Sequence, residues 1–173
     1  MRKLITALAA TAAMVSTTSV QAADAAKCVP PEKAEALVTY LLPAAIETAQ
    51  SKCSLNLSGD APLLQRDSAQ FQKYVTASDE AWPEAKGVIR QVVGERLPEG
   101  VDIETLRPFI EAMVPALLEK EIKPEHCETI DKVYGLLEPL PTSNLSSLAI
   151  MLAVLGSKND KNSKFNICQP AAL

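Results

Sequence analysis

Apolar residues recur at intervals of three and four along much of the chain, which is the spacing of amphipathic α-helices. The clearest such segment runs from Asp102 to about Glu121 and ends in mixed polar sequence. Its predicted buried stripe consists of Ile103, Leu106, Ile110, Met113 and Leu117. Alternating runs of β-branched residues, which are typical of strands, are scarce. The pattern therefore predicts an all-α protein.

Prolines and glycines divide the rest of the chain into segments of helix length. The other predicted helices begin at residue 30 or 31 and end near 51, open at 62, begin between 78 and 83, open at 124, and cover 145–155. Pro43 lies inside the first of them, where we expect a kink. We predict a compact bundle of five or six helices, several of them kinked by proline.

The segment 145–155 is apolar on nearly all sides. A helix without a polar face is typical of a buried position, so we predict that it is the central helix of the bundle. Insertion into a membrane is the alternative, but the segment is shorter than the roughly 20 residues needed to span a bilayer.

The first 22 residues have the three parts of a secretory signal peptide. Arg2 and Lys3 form a positive start, residues 4–15 form an apolar core, and small residues precede the expected cleavage after Ala22. The core is shorter than the roughly 20 residues of a membrane anchor. We therefore expect an exported protein, periplasmic or secreted, with no transmembrane segment in its mature part.

Export would leave a single domain of moderate length. Removal of residues 1–22 from the 173 leaves 151, which we expect to form one helical domain over 23–173, with 157–173 a polar tail tied back through Cys168. Loss of two basic residues shifts the formal net charge from −4 to −6. The remaining basic residues are interleaved with acids, which argues against a nucleic acid partner.

Four cysteines lie in the expected mature part: Cys28, Cys53, Cys127 and Cys168. An even number of cysteines in an exported chain is typical of disulfides, because exported proteins reach an oxidising compartment. No two cysteines have the short spacing of a metal site, and the single histidine, His126, is adjacent to Cys127. We predict two structural disulfides and no metal ion or other cofactor.

The length of the first helix restricts how the cysteines pair. A continuous helix of about 20 residues is about 30 Å long, with Cys28 before its start and Cys53 after its end. Disulfide partners need Cα atoms within about 7 Å, so these two pair only if the helix breaks at Pro43. Two arrangements remain: Cys28–Cys168 with Cys53–Cys127, or Cys28–Cys127 with Cys53–Cys168. We favour the first, which joins the two ends of the mature chain.

His126 is the most evident candidate for a catalytic base, because histidine titrates nearest to neutral pH. The acidic neighbour Glu125 is adjacent in sequence and therefore faces elsewhere on a helix. Ser146 and Ser147 lack the Gly-x-Ser-x-Gly turn that exposes a hydrolase nucleophile. We therefore predict no catalytic residue and keep a small hydrolase that uses His126 as the weakest functional alternative.

The absence of converging polar groups favours a non-enzymatic protein that acts by binding another protein of the cell envelope. The main alternative is a carrier of an apolar small molecule or lipid, because kinked helices and the segment 145–155 could line a cavity. Trp82, the single tryptophan, is predicted at the start of a helix, either as an interface anchor or as a core residue.

Overall fold

The computed structural model describes residues 28–93, 100–157 and 167–168. Over these residues it has five helices: α1 (Pro31–Cys53), α2 (Ala69–Val93), α3 (Arg107–Leu118), α4 (Cys127–Leu136) and α5 (Thr142–Ser157). Short 3-10 turns cover Pro62–Leu64, Ile103–Leu106 and Pro124–His126. The all-α prediction is confirmed. The expected signal peptide, and all of the expected tail except its first residue and 167–168, lie outside the described residues.

α1 is one helix from Pro31 to Cys53, with Pro43 inside it. Proline at the first helical position is favourable, because its missing N–H has no helical partner there. The continuous helix keeps Cys28 and Cys53 apart, and both favoured disulfides form. The Cα atoms are 4.9 Å apart in Cys28–Cys168 and 5.4 Å apart in Cys53–Cys127.

The second and third predicted helices are a single helix, α2, which corrects the prediction of a boundary between 78 and 83. Pro83 lies inside α2. Proline removes one backbone hydrogen bond, but the buried residues keep the helical spacing on both sides of it. These residues are Phe71, Tyr74, Ser78, Trp82, Ala85 and Ile89. Continued packing against α1 therefore outweighs the local cost of the proline.

The start of α2 also differs from the prediction. Pro62 opens only the 3-10 turn Pro62–Leu64, and α2 begins at Ala69. The hydroxyl of Ser68 accepts a hydrogen bond from the backbone N–H of Phe71 at 3.2 Å, which is the geometry of an N-cap. At the other end of α2, Val92 is half-exposed.

The predicted buried stripe of α3 is partly wrong. Ile103 is buried, but Met113 and Leu117 are exposed, and Val114 is buried in their place. The two stripes agree as far as Ile110, which packs against the core, and then separate within the α-helix. The buried face continues at Val114, four residues on, and not at Met113, three residues on.

α1, and not the predicted segment 145–155, is the central helix. α1 packs against each of the other four helices, whereas α5 packs mainly on α1. One side of α5 is buried, with Ser146 and Ile150 almost fully covered, and its other side is exposed. Overall hydrophobicity therefore did not indicate how much of α5 is covered.

Three clusters of buried side chains hold the helices together. The first joins α1, α2 and α4 and contains Ile46, Ala49, Cys53, Leu63, Phe71, Tyr74, Cys127 and Tyr134. The second contains Tyr40, Trp82, Ala85, Ile89 and Ile103. The third contains Val29, Ala34, Val88 and Ile150, and Ile167 packs against it. Ile167 and the Cys28–Cys168 disulfide link residues 167–168 to the segment just before α1.

A buried glutamine in α1 predicts a stabilising substitution. Gln50 is 2% exposed, and neither its Oε1 nor its Nε2 has a hydrogen-bond partner among the residues that the structure describes. A buried polar group without a partner costs about 1–3 kcal/mol. Replacing Gln50 by methionine, which has a similar length, is expected to raise the free energy of unfolding by about 1 kcal/mol, measured by urea denaturation.

Gln70 provides the matched control. It is also buried, but its Nε2 donates to the backbone oxygen of Tyr134 at 2.7 Å and to the hydroxyl of Tyr74 at 3.2 Å. Gln70→Met is therefore expected to lower the free energy of unfolding by about 1–2 kcal/mol. Equal destabilisation by both substitutions would contradict the difference that we assign to them.

Candidate functional site

A groove of about 850 Å³ lies between α2 and α3, with α1 as its floor. The floor is formed by Tyr40, Pro43, Ala44, Glu47, Thr48, Ser51 and Lys52. Val75, Ser78 and Asp79 of α2 form one wall, and Arg107, Glu111, Ala112, Pro115 and Glu119 form the other. We call it the α2–α3 groove. Its volume is in the range of about 300–1,000 Å³ that is typical of ligand sites.

Arg107 connects the first turn of α3 to α1 and α2. Its Nη2 donates to Asp79 on α2, and its Nε donates to Glu111 at 3.1 Å. The guanidinium also lies over the rings of Trp82 and Tyr40, 5.3 Å and 5.7 Å from their centroids. The hydrogen bond to Asp79 raises the pKa of Arg107 above its ordinary value. These contacts set the position of one groove wall.

An aromatic pair lies beneath Arg107. The rings of Tyr40 and Trp82 are 4.7 Å apart, and the Tyr40 hydroxyl donates to Glu111 at 3.0 Å. Trp82 Nε1 donates to Glu104 at 2.7 Å. Trp82 is 6% exposed, so of its two predicted roles it has that of a core residue.

Glu104 connects α2 to the 3-10 turn before α3. Besides Trp82, it accepts a hydrogen bond from Lys86 at 2.6 Å. The hydrogen bond from Lys86, and to a smaller extent the one from Trp82, lowers the pKa of Glu104 below its usual value. The side chain of Asp102 caps the same turn, since it accepts from the backbone N–H of Glu104 at 3.0 Å. Asp102 and Glu104 therefore have a structural role.

The α2–α3 groove has an excess of negative charge. Its lining contains four carboxylates, Glu47, Asp79, Glu111 and Glu119, and two cations, Lys52 and Arg107, for a formal charge of −2. Lys52 pairs with Glu119 at 2.7 Å, while none of the described ion pairs involves Glu47, which is exposed. A concave surface of one charge sign concentrates ions of the opposite sign. Basic groups are therefore the ligands that this lining favours.

Three large apolar side chains are exposed on the outer face of α3. Phe109, Met113 and Leu117 are 64%, 46% and 68% exposed. They are four residues apart, so they lie in one row on the helix surface, which we call the α3 stripe. Ala112, which lines the α2–α3 groove, is adjacent to this row. An apolar row beside a polar groove is typical of an interaction surface.

A smaller groove of about 310 Å³ lies between α1 and α4. Its lining is mainly apolar and consists of Ala45, Ile46, Ala49, Leu63, Thr129, Ile130, Val133, Tyr134 and Leu137. This volume is at the lower end of the usual range for ligand sites. It is too small to enclose a long lipid chain.

The catalytic candidates named from the sequence, His126 and Ser146, are not brought together with other catalytic groups in the part of the chain that the structure describes. His126 is exposed in the turn Pro124–His126 and lines none of the grooves described above. The hydroxyl of Ser146 is buried, where it shares a 2.5 Å hydrogen bond with Thr39 and donates to the backbone of Thr142 at 3.1 Å. Ser146 therefore joins α5 to α1. Among the described residues, no cluster of three His, Cys, Asp or Glu side chains has the arrangement of a metal site.

The two buried tyrosines with perturbed hydroxyls predict a loss of stability at alkaline pH. Burial, and then the bond to Glu111, raises the pKa of Tyr40 above 10.0, and burial raises that of Tyr134. Above pH 10 the unfolded chain releases these protons and the native protein retains them. The free energy of unfolding therefore falls with rising pH, by up to about 1.4 kcal/mol per pH unit for each tyrosine.

Urea denaturation between pH 9 and 11.5, followed by Trp82 fluorescence, measures this slope. Tyr40→Phe removes one of the two groups and is expected to reduce the slope. An unchanged slope in that variant would show that Tyr40 ionises equally in both states.

The described residues form an all-α protein in which four helices surround α1 and two disulfides link distant parts of the chain. The chain matches no protein-family model, no curated protein sequence and no solved structure. Over the residues described, no helix combines the length and hydrophobicity needed to cross a membrane. The disulfides are compatible with export, since they persist in oxidising compartments.

Proposed function

We propose that this is an exported, non-enzymatic helical protein, periplasmic or secreted, that acts by binding another protein. The partner contacts the α3 stripe and enters the α2–α3 groove. The observation that carries the proposal is the row Phe109, Met113 and Leu117, exposed beside a groove with an excess of carboxylates. Large apolar side chains supply most of the affinity of protein interfaces, while charge steers and orients the partner.

The chemistry of this surface defines the kind of partner. An apolar row next to a groove of formal charge −2 is complementary to a segment that carries large apolar side chains on one side and Lys or Arg on the other. Glu47 on the groove floor, which is exposed and takes part in none of the described ion pairs, is placed to meet a basic side chain. We therefore expect an amphipathic, basic segment of a partner protein.

Selection from a library of random peptides, against the protein with both disulfides intact, tests the proposal. Enriched peptides are expected to combine Lys or Arg with Leu, Ile or Phe. Leu117→Glu is expected to weaken their binding at least tenfold, because it places a carboxylate in the apolar contact. Glu47→Gln is expected to weaken it less and to reduce its dependence on salt.

Leu136→Glu is the matched control, because Leu136 is 76% exposed on α4 and is not part of the α3 stripe. It should leave binding unchanged. No enrichment, or enriched peptides that bind Leu117→Glu as well as the native chain, would contradict the proposal. Circular dichroism of each variant establishes that the helices are intact.

Binding of an apolar small molecule in the groove between α1 and α4 is a second candidate. Its support is the apolar lining of that groove, which includes the exposed Val133. Saturable binding of a neutral naphthyl dye, abolished by Val133→Asp, would favour this candidate over the first. A small hydrolase that uses His126 is not supported by the exposed position of that side chain.

A further inference from the structure

The outward face of α5 is an uninterrupted apolar row. Its four large side chains are 44–62% exposed and follow the spacing i, i+3, i+4 and i+7, so they lie along one side of the helix. They are Leu148, Met151, Leu152 and Leu155. We call this row the α5 stripe. The opposite side of α5 is buried in the protein, since Ser146 and Ile150 pack against α1 and its neighbours.

α5 is the only one of the five described helices without a charged residue. It therefore has no charged group of its own with which to select a charged partner. The protein as a whole is acidic, with a formal net charge of −4 over the full sequence. Two copies repel each other through most surfaces, and an uncharged apolar face is where this repulsion is weakest.

We propose that a second copy of this chain covers the α5 stripe, with the two α5 helices packed against each other across a two-fold axis. A row with this spacing is self-complementary, because the side chains of each helix fit between those of the other. A two-fold interface uses the same patch on both copies, so it needs no other surface. The α5 stripe is on a different helix from the α3 stripe, and this inference does not depend on the proposed function.

The size of the α5 stripe sets the expected strength. Stable interfaces bury about 1,200–2,000 Å² in total, and one pair of helices, with four large side chains from each, falls below that range. The dimer is therefore weak and transient. It is populated at high local concentration and dissociates on dilution.

Sedimentation equilibrium of the full chain, with both disulfides intact and at 1–500 μM, tests this inference. A monomer–dimer equilibrium is expected. Leu152→Glu is expected to weaken the dimer at least thirtyfold, because it places two carboxylates in an apolar contact near the two-fold axis. Leu117→Glu, a matched change on α3, should leave the monomer–dimer equilibrium unchanged. A failure to dimerise through α5 is therefore distinguishable from a failure to bind a partner through the α3 stripe.

Met151→Lys is a second variant, which tests the same contact with a charge of opposite sign and should also be monomeric. A native chain that stays monomeric at 500 μM would overturn the proposal, as would a dimer unaffected by Leu152→Glu. Co-sedimentation with phosphatidylcholine vesicles examines a lipid surface as the other occupant. Binding of a monomeric chain to these vesicles through Leu152 would also overturn it, whereas absence of binding together with a dimer supports it.

Discussion

Replacing Trp82 by alanine is expected to lower the free energy of unfolding by about 4 kcal/mol. The indole is 6% exposed, packs against Tyr40 at 4.7 Å and lies beneath the guanidinium of Arg107. Its loss leaves a cavity in the cluster that joins α1, α2 and the turn before α3. Urea denaturation followed by circular dichroism measures the change, because the variant has no tryptophan fluorescence.

Trp82→Phe is the matched control. Phenylalanine keeps an aromatic ring against Tyr40 but cannot donate to Glu104, so a loss of about 1–2 kcal/mol is expected. Because Arg107 also rests on this ring, the alanine variant should increase amide exchange in α3 more than in α4. A loss below 1 kcal/mol in Trp82→Ala would contradict the central place of this side chain in the core.

Replacing both Cys53 and Cys127 by alanine is expected to lower the free energy of unfolding by an amount similar to that of Trp82→Ala. The two are 74 residues apart in sequence and join the end of α1 to the start of α4. Restricting a loop of this length in the unfolded chain stabilises the native state by about 4.5 kcal/mol in the chain-entropy model. The double variant is expected to lose about that much, measured by urea denaturation.

The other disulfide provides the comparison. Cys28–Cys168 joins residues 140 apart, and the same model gives about 5 kcal/mol for it. The two double variants differ in where they loosen the protein. Loss of Cys53–Cys127 should increase exchange around Tyr134, whereas loss of Cys28–Cys168 should increase it around Val29 and Ile150. A loss below 1 kcal/mol in the first variant would contradict the prediction.

The length of α1 excluded one of the three possible disulfide pairings, and the choice between the other two rested on the preference for joining the two ends of the mature chain. Continuous hydrophobic spacing indicated α1, and the rise of 1.5 Å per residue then kept Cys28 and Cys53 too far apart to bond. This exclusion required that the helix not break at Pro43, and in the structure Pro43 lies inside a continuous helix. Helix type is a local property that the sequence pattern indicated correctly, but helix length was not, since α2 is one helix where the pattern predicts two.

The faces of α3 and α5 could not be predicted in the same way. The sequence indicates which residues are apolar, but the number of neighbours around a helix depends on distant parts of the chain. Met113 and Leu152 have the pattern of core residues and are exposed. In both helices, the apolar side chains outnumber those that α1 and α2 cover.

The α2–α3 groove was also not predicted from the sequence, because the residues of its two walls are far apart in the chain. Arg107 meets Asp79 and Glu111, and only the second of these contacts is within one helix. No signal in the sequence indicated these contacts, because the predicted helix begins at Asp102 and places Arg107 in its second turn. In the structure Arg107 is the first residue of α3, where a positive charge is unfavourable to the helix dipole and is offset by Asp79 and Glu111.

Backbone NMR of the native chain, titrated with a peptide enriched in the selection, locates the surface that binds the partner. We expect amide shifts to concentrate in residues 107–119 and in the α1 and α2 residues that line the α2–α3 groove, and Leu117→Glu to remove them. Residues of α4 and of the α5 stripe should change little. Shifts centred on the groove between α1 and α4, or the same shifts in Leu117→Glu, would contradict the proposed binding surface.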